Sequence, residues 1–169
     1  MKPDRQKYTD ECKTIQQNAT YTAETHHHIA NRYWWIGTCF QVIPAVLAAA
    51  TGGLVAQNIF PDWMLWLSVL GATIAAVANI INPMNVYQSH LGAAKSFTII
   101  KHEARGLHST FASGMEDEAY AVAVKNLHDR YNDLVRVVPP TTMWAFKKAQ
   151  KVIKGGAHEP DRDKDGNII

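Results

Sequence analysis

Gln41 and Asn79 are primary amides set deep in stretches of sequence that carry no charge. In a hydrocarbon setting such a group does one of two things. It hydrogen-bonds to a neighbouring helix, at a gain of about 1 kcal/mol, or it lines a water-filled path formed by several copies. Asn82 follows Asn79 by one turn, and Thr38, Thr51, Ser68 and Thr73 supply lesser polar groups. Three further sets carry metal-ligand residue types. His26-His27-His28 holds imidazoles, but consecutive helical residues point about 100° apart and cannot all reach one ion. That run reads as a solvated or interfacial patch. His102, Glu103 and His108 offer no i, i+4 pair, so a site there needs a histidine from the N-terminal helix. Asp161, Asp163 and Asp165, with Gly166, match the opening positions of a calcium loop. The pattern stops before the bidentate acid such a loop requires, so the expectation is a disordered charged tail with at most weak calcium binding. No phosphate loop, nucleophile elbow or zinc-protease helix is present, and the reading is a non-enzyme with no cofactor.

The elements that must position these residues follow from charge. All 17 Lys and Arg residues, and every acid except Asp62, lie outside residues 33–94. Residues 33–61 and 63–94 contain no Asp, Glu, Lys or Arg. A bilayer core needs roughly 20 apolar helical residues, so each stretch is long enough to cross. The expected fold is an all-α membrane protein: a two-span helical hairpin with cytoplasmic helical extensions packed as a bundle. Its divisions are an amphipathic helix over 1–32, spans over 33–57 and 63–85, a turn over 58–62, a helical region over 86–154, and a disordered tail over 155–169. Thr9 or Asp10 is expected to cap the first helix, Asp62 the second span, and Thr141 the last helix. Ser113-Gly114-Met115-Glu116 reads as a stop and capping box.

Aromatic belts fall at Tyr33, Trp34 and Trp35 on one side and at Trp63 and Trp66 on the other, with Arg32 anchoring the first. Lys2, Arg5, Lys7, Lys13 and Arg32 precede the first span, and Lys95, Lys101 and Arg105 follow the second. The turn has no base. The positive-inside rule then places both termini in the cytoplasm and, in a bacterium, the spans in the inner membrane. Cys12 and Cys39 fall on opposite sides of the expected interface and form no framework disulfide. The mild net charge of +2 and the scattered bases give no nucleic-acid signal.

Small residues dominate the spans. Ala45, Ala49 and Gly53 form one stripe and Ala48 and Gly52 another, while Gly71, Ala75 and Asn79 repeat the device in the second span. Such stripes let backbones approach. One is used by the hairpin itself, and the remainder points to a homo-oligomer. Pro44 is a candidate hinge in the first span. Tyr120, Val124, Leu127, Tyr131, Leu134 and Val138 form an amphipathic seam ended by Pro139-Pro140.

The order of these parts resembles the SLATT family of bacterial two-transmembrane proteins, the SMODS- and SLOG-associating two-transmembrane effector domain. The likeness runs over roughly residues 9–154. It rests on Ala30-Asn31-Arg32-Tyr33-Trp34 before the small-residue span and on the short turn and second span. After them come Ala94, Phe97 and His102-Glu103, then the helix around Leu127-His128-Asp129-Arg130-Tyr131-Asn132-Asp133-Leu134, and Pro139-Pro140 before a final helix with Ala149. Phe97 stands where many members are expected to have tyrosine. The resemblance implies an antiphage-defence effector that accompanies a nucleotide second-messenger synthase or sensor protein. Such an effector permeabilises or disrupts the inner membrane in abortive infection. Two alternatives are open on the residues: a passive membrane scaffold recruiting a cytoplasmic partner through the Tyr120–Val138 seam, and a soluble protein that buries both apolar runs.

Overall fold

The computed structural model describes residues 4–56 and 61–156. Among them every regular element is helical. α1 spans Arg5–Ala56, α2 Trp63–Ile81, α3 Pro83–Gly106, α4 Asp117–Val137 and α5 Met143–Lys154. The chain divides into two compact units. One holds residues up to Ile29 together with those from His90 onward, and the other runs from Ala30 to Ser89.

In the first unit the helical period selects the core. Cys12, Ile15, Ala19 and Ala23 of α1 recur at three- and four-residue steps and are buried. They meet Phe97, Ile100 and Ala104 of α3 and Tyr120, Val124 and Leu127 of α4. Tyr131, Leu134 and Val138 flank this cluster. The expected seam of α4 therefore lies inside the bundle, where it faces α1 and α3. A scaffold reading that uses this seam for a partner is corrected here, because a partner would first have to displace those helices.

Polar groups join the ends of the same helices. Arg5 pairs with Asp117, donates to the Met115 carbonyl at 3.1 Å and lies 5.0 Å from the Tyr120 ring centre. Arg130 donates twice to Glu103, at 2.7 and 3.1 Å, and His128 meets Glu11 at 2.8 Å. These ties are wholly or partly solvent-exposed and each contributes about 0–1 kcal/mol. Their value is register: each fixes which turn of α4 faces which turn of its neighbour.

The expected caps are not made by the side chains named for them. α1 starts at Arg5, ahead of Thr9, whose hydroxyl donates back to the Arg5 carbonyl at 3.0 Å. Asp62 has helical backbone angles, φ −57° and ψ −32°, and makes no side-chain cap bond. A capping side chain needs the extended backbone that Asp62 lacks. Glu116 precedes α4 in an extended conformation without a side-chain bond, and Thr142 rather than Thr141 precedes α5.

α3 passes into a π-helical turn at Leu107–Phe111 and a 3₁₀ turn at Ala112–Gly114. Gly106 permits this closure, since a Cβ there would stand 3.3 Å from the Phe111 ring. The sequence pattern gave no sign of the π turn.

Phe97 is fully buried and contacts the rings of His26 and Tyr131 with centroids 5.9 and 6.0 Å away. Phe97→Ala is expected to destabilise this bundle by about 3–5 kcal/mol. Faster amide exchange in α4 of the detergent-solubilised chain, with α2 unchanged, checks it.

Candidate functional site

The unit from Ala30 to Ser89 holds the expected spans, and its inner face differs from its outer one. Gly71 is buried, and a Cβ added there would touch Leu47 at 3.5 Å, so α1 and α2 meet at that glycine. Gly37 plays the same part against Met84, at 3.3 Å. Thr51 is also buried, and its hydroxyl donates to the carbonyls of Leu47 at 3.0 Å and Ala48 at 3.1 Å. A hydroxyl satisfied by its own helix adds no demand on a neighbour.

The remaining candidates face outward. Gln41, Ala45, Ala49 and Gly53 are exposed at four-residue steps along α1, and among the described residues no other element comes within 4 Å of a Cβ built on Gly53. Asn79 of α2 is exposed, whereas Ala75 is half-buried. Among the described residues neither Gln41 nor Asn79 hydrogen-bonds through its amide side chain. Trp34, Trp35, Trp63, Trp66 and Arg32 are exposed, Tyr33 is half-buried, and the Trp34 and Trp35 rings pack edge to face at 4.8 Å. Pro44 is half-buried within unbroken helix. Its missing N–H leaves the Phe40 carbonyl without its usual partner.

Asn82 belongs to a different structure from the other two amides. Its φ of +44° ends α2 in the left-handed region, which asparagine tolerates better than most side chains. Its Oδ1 accepts the Asn85 N–H at 3.2 Å, and Pro83 begins α3, where a missing N–H costs nothing. Asn82 is a joint between helices.

In the other unit the structure corrects the reading of the histidine run. His26 is fully buried, not solvated, and its Nδ1 lies 2.8 Å from Nδ1 of His90, itself 6% exposed. His27 is exposed, and His28 Nε2 lies 3.3 Å from Glu24 without hydrogen-bond alignment. The 100° step of the helix produces this divergence. His90 was not foreseen. The signal for it was its place on the α3 stripe that continues through Ala94 and Phe97 to Ala104.

Two rings at that distance share one hydrogen bond only if both are neutral or one is charged. Burial comes first in holding the His26 pKa down, from its ordinary 6.5 to about 4, with the facing His90 and then His27 adding to it. Burial also lowers His90. His28 is lowered by burial, against the opposing pull of Glu24 and with Lys148 and His27 acting in the same direction as burial. The pair is thus a neutral polar link between α1 and α3.

The other candidates do not assemble. Among the described residues no three His, Cys, Asp or Glu side chains converge as a metal site. His102 is exposed, Glu103 is engaged by Arg130, and His108 meets Gln16. Asp161, Asp163 and Asp165 lie outside the described residues. An open groove of about 520 Å³ runs past His102, Leu107, Phe111 and Leu127. Its charged groups, Glu103 and Arg130, already neutralise each other.

A histidine whose folded pKa lies below its unfolded one stabilises the fold fully above the unfolded value. That stability is lost as pH falls through the folded value. Unfolding free energy of this unit is therefore expected to drop between pH 6.5 and about 4, by up to about 1.4 kcal/mol per pH unit for each proton taken up. His26→Phe removes the His26 share of that slope, and denaturant titrations across this range measure it.

No curated protein and no solved structure matches the chain. Two helices long and apolar enough to cross a membrane, each with only 6% of its apolar window covered by protein, make up the spans. A core helix of a soluble protein would be mostly covered. The family model described as SMODS and SLOG-associating 2TM effector domain family 4 matches residues 9–163, and the chain belongs to that family of two-transmembrane effector domains.

Proposed function

We propose that this chain is a non-enzymatic membrane effector that self-associates through its spans and permeabilises or otherwise disrupts the bacterial inner membrane. The family description supports an effector role beside SMODS- and SLOG-type partners. A nucleotide second-messenger synthase or sensor protein is the partner this implies, in an antiphage system of the abortive-infection kind. The distribution of basic residues supports placing both termini in the cytoplasm.

One observation carries the reading. Gln41 and Asn79 lie on the outer surface of the hairpin, and Ala45, Ala49 and Gly53 continue the Gln41 stripe. An amide turned to lipid is unsatisfied and an alanine stripe buries little apolar area there, so both favour a protein neighbour over lipid. A second copy of the hairpin supplies that neighbour. Copies joined on the Gln41 stripe bring those amides together, either as an interhelical hydrogen bond or as the lining of a polar path. Pro44 lies between Gln41 and Ala49, where a loss of one backbone bond eases bending between a resting and an active arrangement.

Induced expression beside the cognate trigger is expected to collapse membrane potential, read with a voltage-sensitive dye, and to stop growth. Gln41→Leu with Asn79→Leu is expected to prevent the collapse while leaving insertion intact. Intact potential and growth in the triggered parent chain would refute the reading. Gly53→Leu is expected to abolish cross-linked oligomers because open space surrounds that position, whereas Gly71→Ala, which meets Leu47 at ordinary contact distance, is expected to retain them.

A further inference from the structure

α5 is a basic amphipathic helix whose uncovered face has a clear chemistry. It buries Ala145 and Ala149 completely against the bundle. On the opposite side Met143, Lys147, Lys151 and Lys154 follow one another at helical steps of four, four and three, with Trp144 beside them. All five are exposed, Met143 at 68% and Trp144 at 38%. α5 contains no acid, and none of its lysines forms an ion pair among the described residues. Three cations of this face, Lys147, Lys151 and Lys154, are thereby left facing solvent next to an exposed thioether and an indole.

The position of α5 in its unit indicates what covers that face. The Phe146 ring lies 6.0 Å from Tyr21, and the charge of Lys148 acts on His28. Both partners belong to the last turns of α1 before Ala30. Tyr33, where the first apolar run starts, follows His28 by five residues, roughly 8 Å of helix. That part of α1 precedes the apolar run by little more than one turn, and lysines packed on it carry the charge that phosphate headgroups complement. Indole and lysine together are the side chains that favour such an interface.

We propose that the outer face of α5 docks on anionic phospholipid headgroups of the membrane that holds the spans, with Lys147, Lys151 and Lys154 as the phosphate contacts. This goes beyond the effector reading but rests on its membrane placement. It makes α5 a contact by which lipid charge holds the cytoplasmic bundle against the bilayer. A second copy or an acidic protein segment on the same face are the competing occupants.

The test is lysine footprinting of the full chain in nanodiscs, made either of phosphatidylcholine alone or with added phosphatidylglycerol, using an amine-acylating reagent. Lys147, Lys151 and Lys154 are expected to react about fivefold more slowly in the anionic discs, and high salt is expected to erase the difference. Lys7 and Lys13, exposed on the far end of α1, serve as internal controls and are expected to keep one rate. Lys147→Gln with Lys151→Gln is expected to return Lys154 toward its rate in neutral discs. Equal rates in the two lipids overturn the proposal. So does slowing that ignores lipid charge and instead rises with the number of chains per disc. A chain that fails to enter discs overturns the membrane reading, and this inference with it, whereas equal rates in loaded discs overturn this inference alone.

Discussion

Two helices whose apolar side chains remain uncovered by their own protein need another cover, and water cannot supply it. Leaving a leucine or isoleucine in water instead of an apolar environment forgoes about 1.5–3 kcal/mol, and Leu65, Trp66, Ile80 and Val46 are each more than half exposed. Lipid supplies that cover, and the same solvent then sets the terms for everything else in the hairpin. Hydroxyls of Thr51, Ser68 and Thr73 turn back onto their own backbone at 2.8–3.1 Å. The two amides on the outer surface have no such local option, because an amide side chain carries more donors and acceptors than one helical turn accepts.

The bundle obeys the opposite rule. Its core combines the small residues Cys12, Ala19, Ala23 and Ala104 with large ones such as Ile15, Phe97 and Tyr120, which join α1, α3 and α4 in one cluster. Polar ties sit where solvent still reaches, as in Arg5 with Asp117 and Arg130 with Glu103. The exception is the His26 and His90 pair, which replaces an apolar contact with a hydrogen bond that exists only between rings of the right protonation. Such a link gives one pairing of α1 with α3 an advantage over its slipped alternatives, since any other register would strand an imidazole without a partner.

Joining two solvents in one continuous helix has a structural cost that falls at its joints. α1 runs from Arg5 to Ala56 and crosses from the bundle into the hairpin without a break in its hydrogen-bond ladder other than at Pro44. The return path is interrupted at Asn82, a left-handed residue that ends α2 just before Pro83. Small residues, proline and asparagine therefore carry the architecture of the hairpin, and large apolar residues carry that of the bundle.

How much of this was legible in the sequence follows from how local each feature is. Charge exclusion from residues 33–94, the helical period of Ile15 to Ala23, the seam of Tyr120 to Leu127, and the Pro139-Pro140 break are properties of one segment, so the linear pattern determined them. The caps were misread because a cap depends on backbone angles that composition does not reveal, as at Asp62. Only the tertiary structure decided which stripe of each span faces its partner. Glycine at 71 and at 53 look alike in sequence, but Leu47 stands against the first and nothing against the second. It also decided that His26 leaves the surface for His90, because a hydrogen bond between residues 64 positions apart exists only once two helices are packed in register.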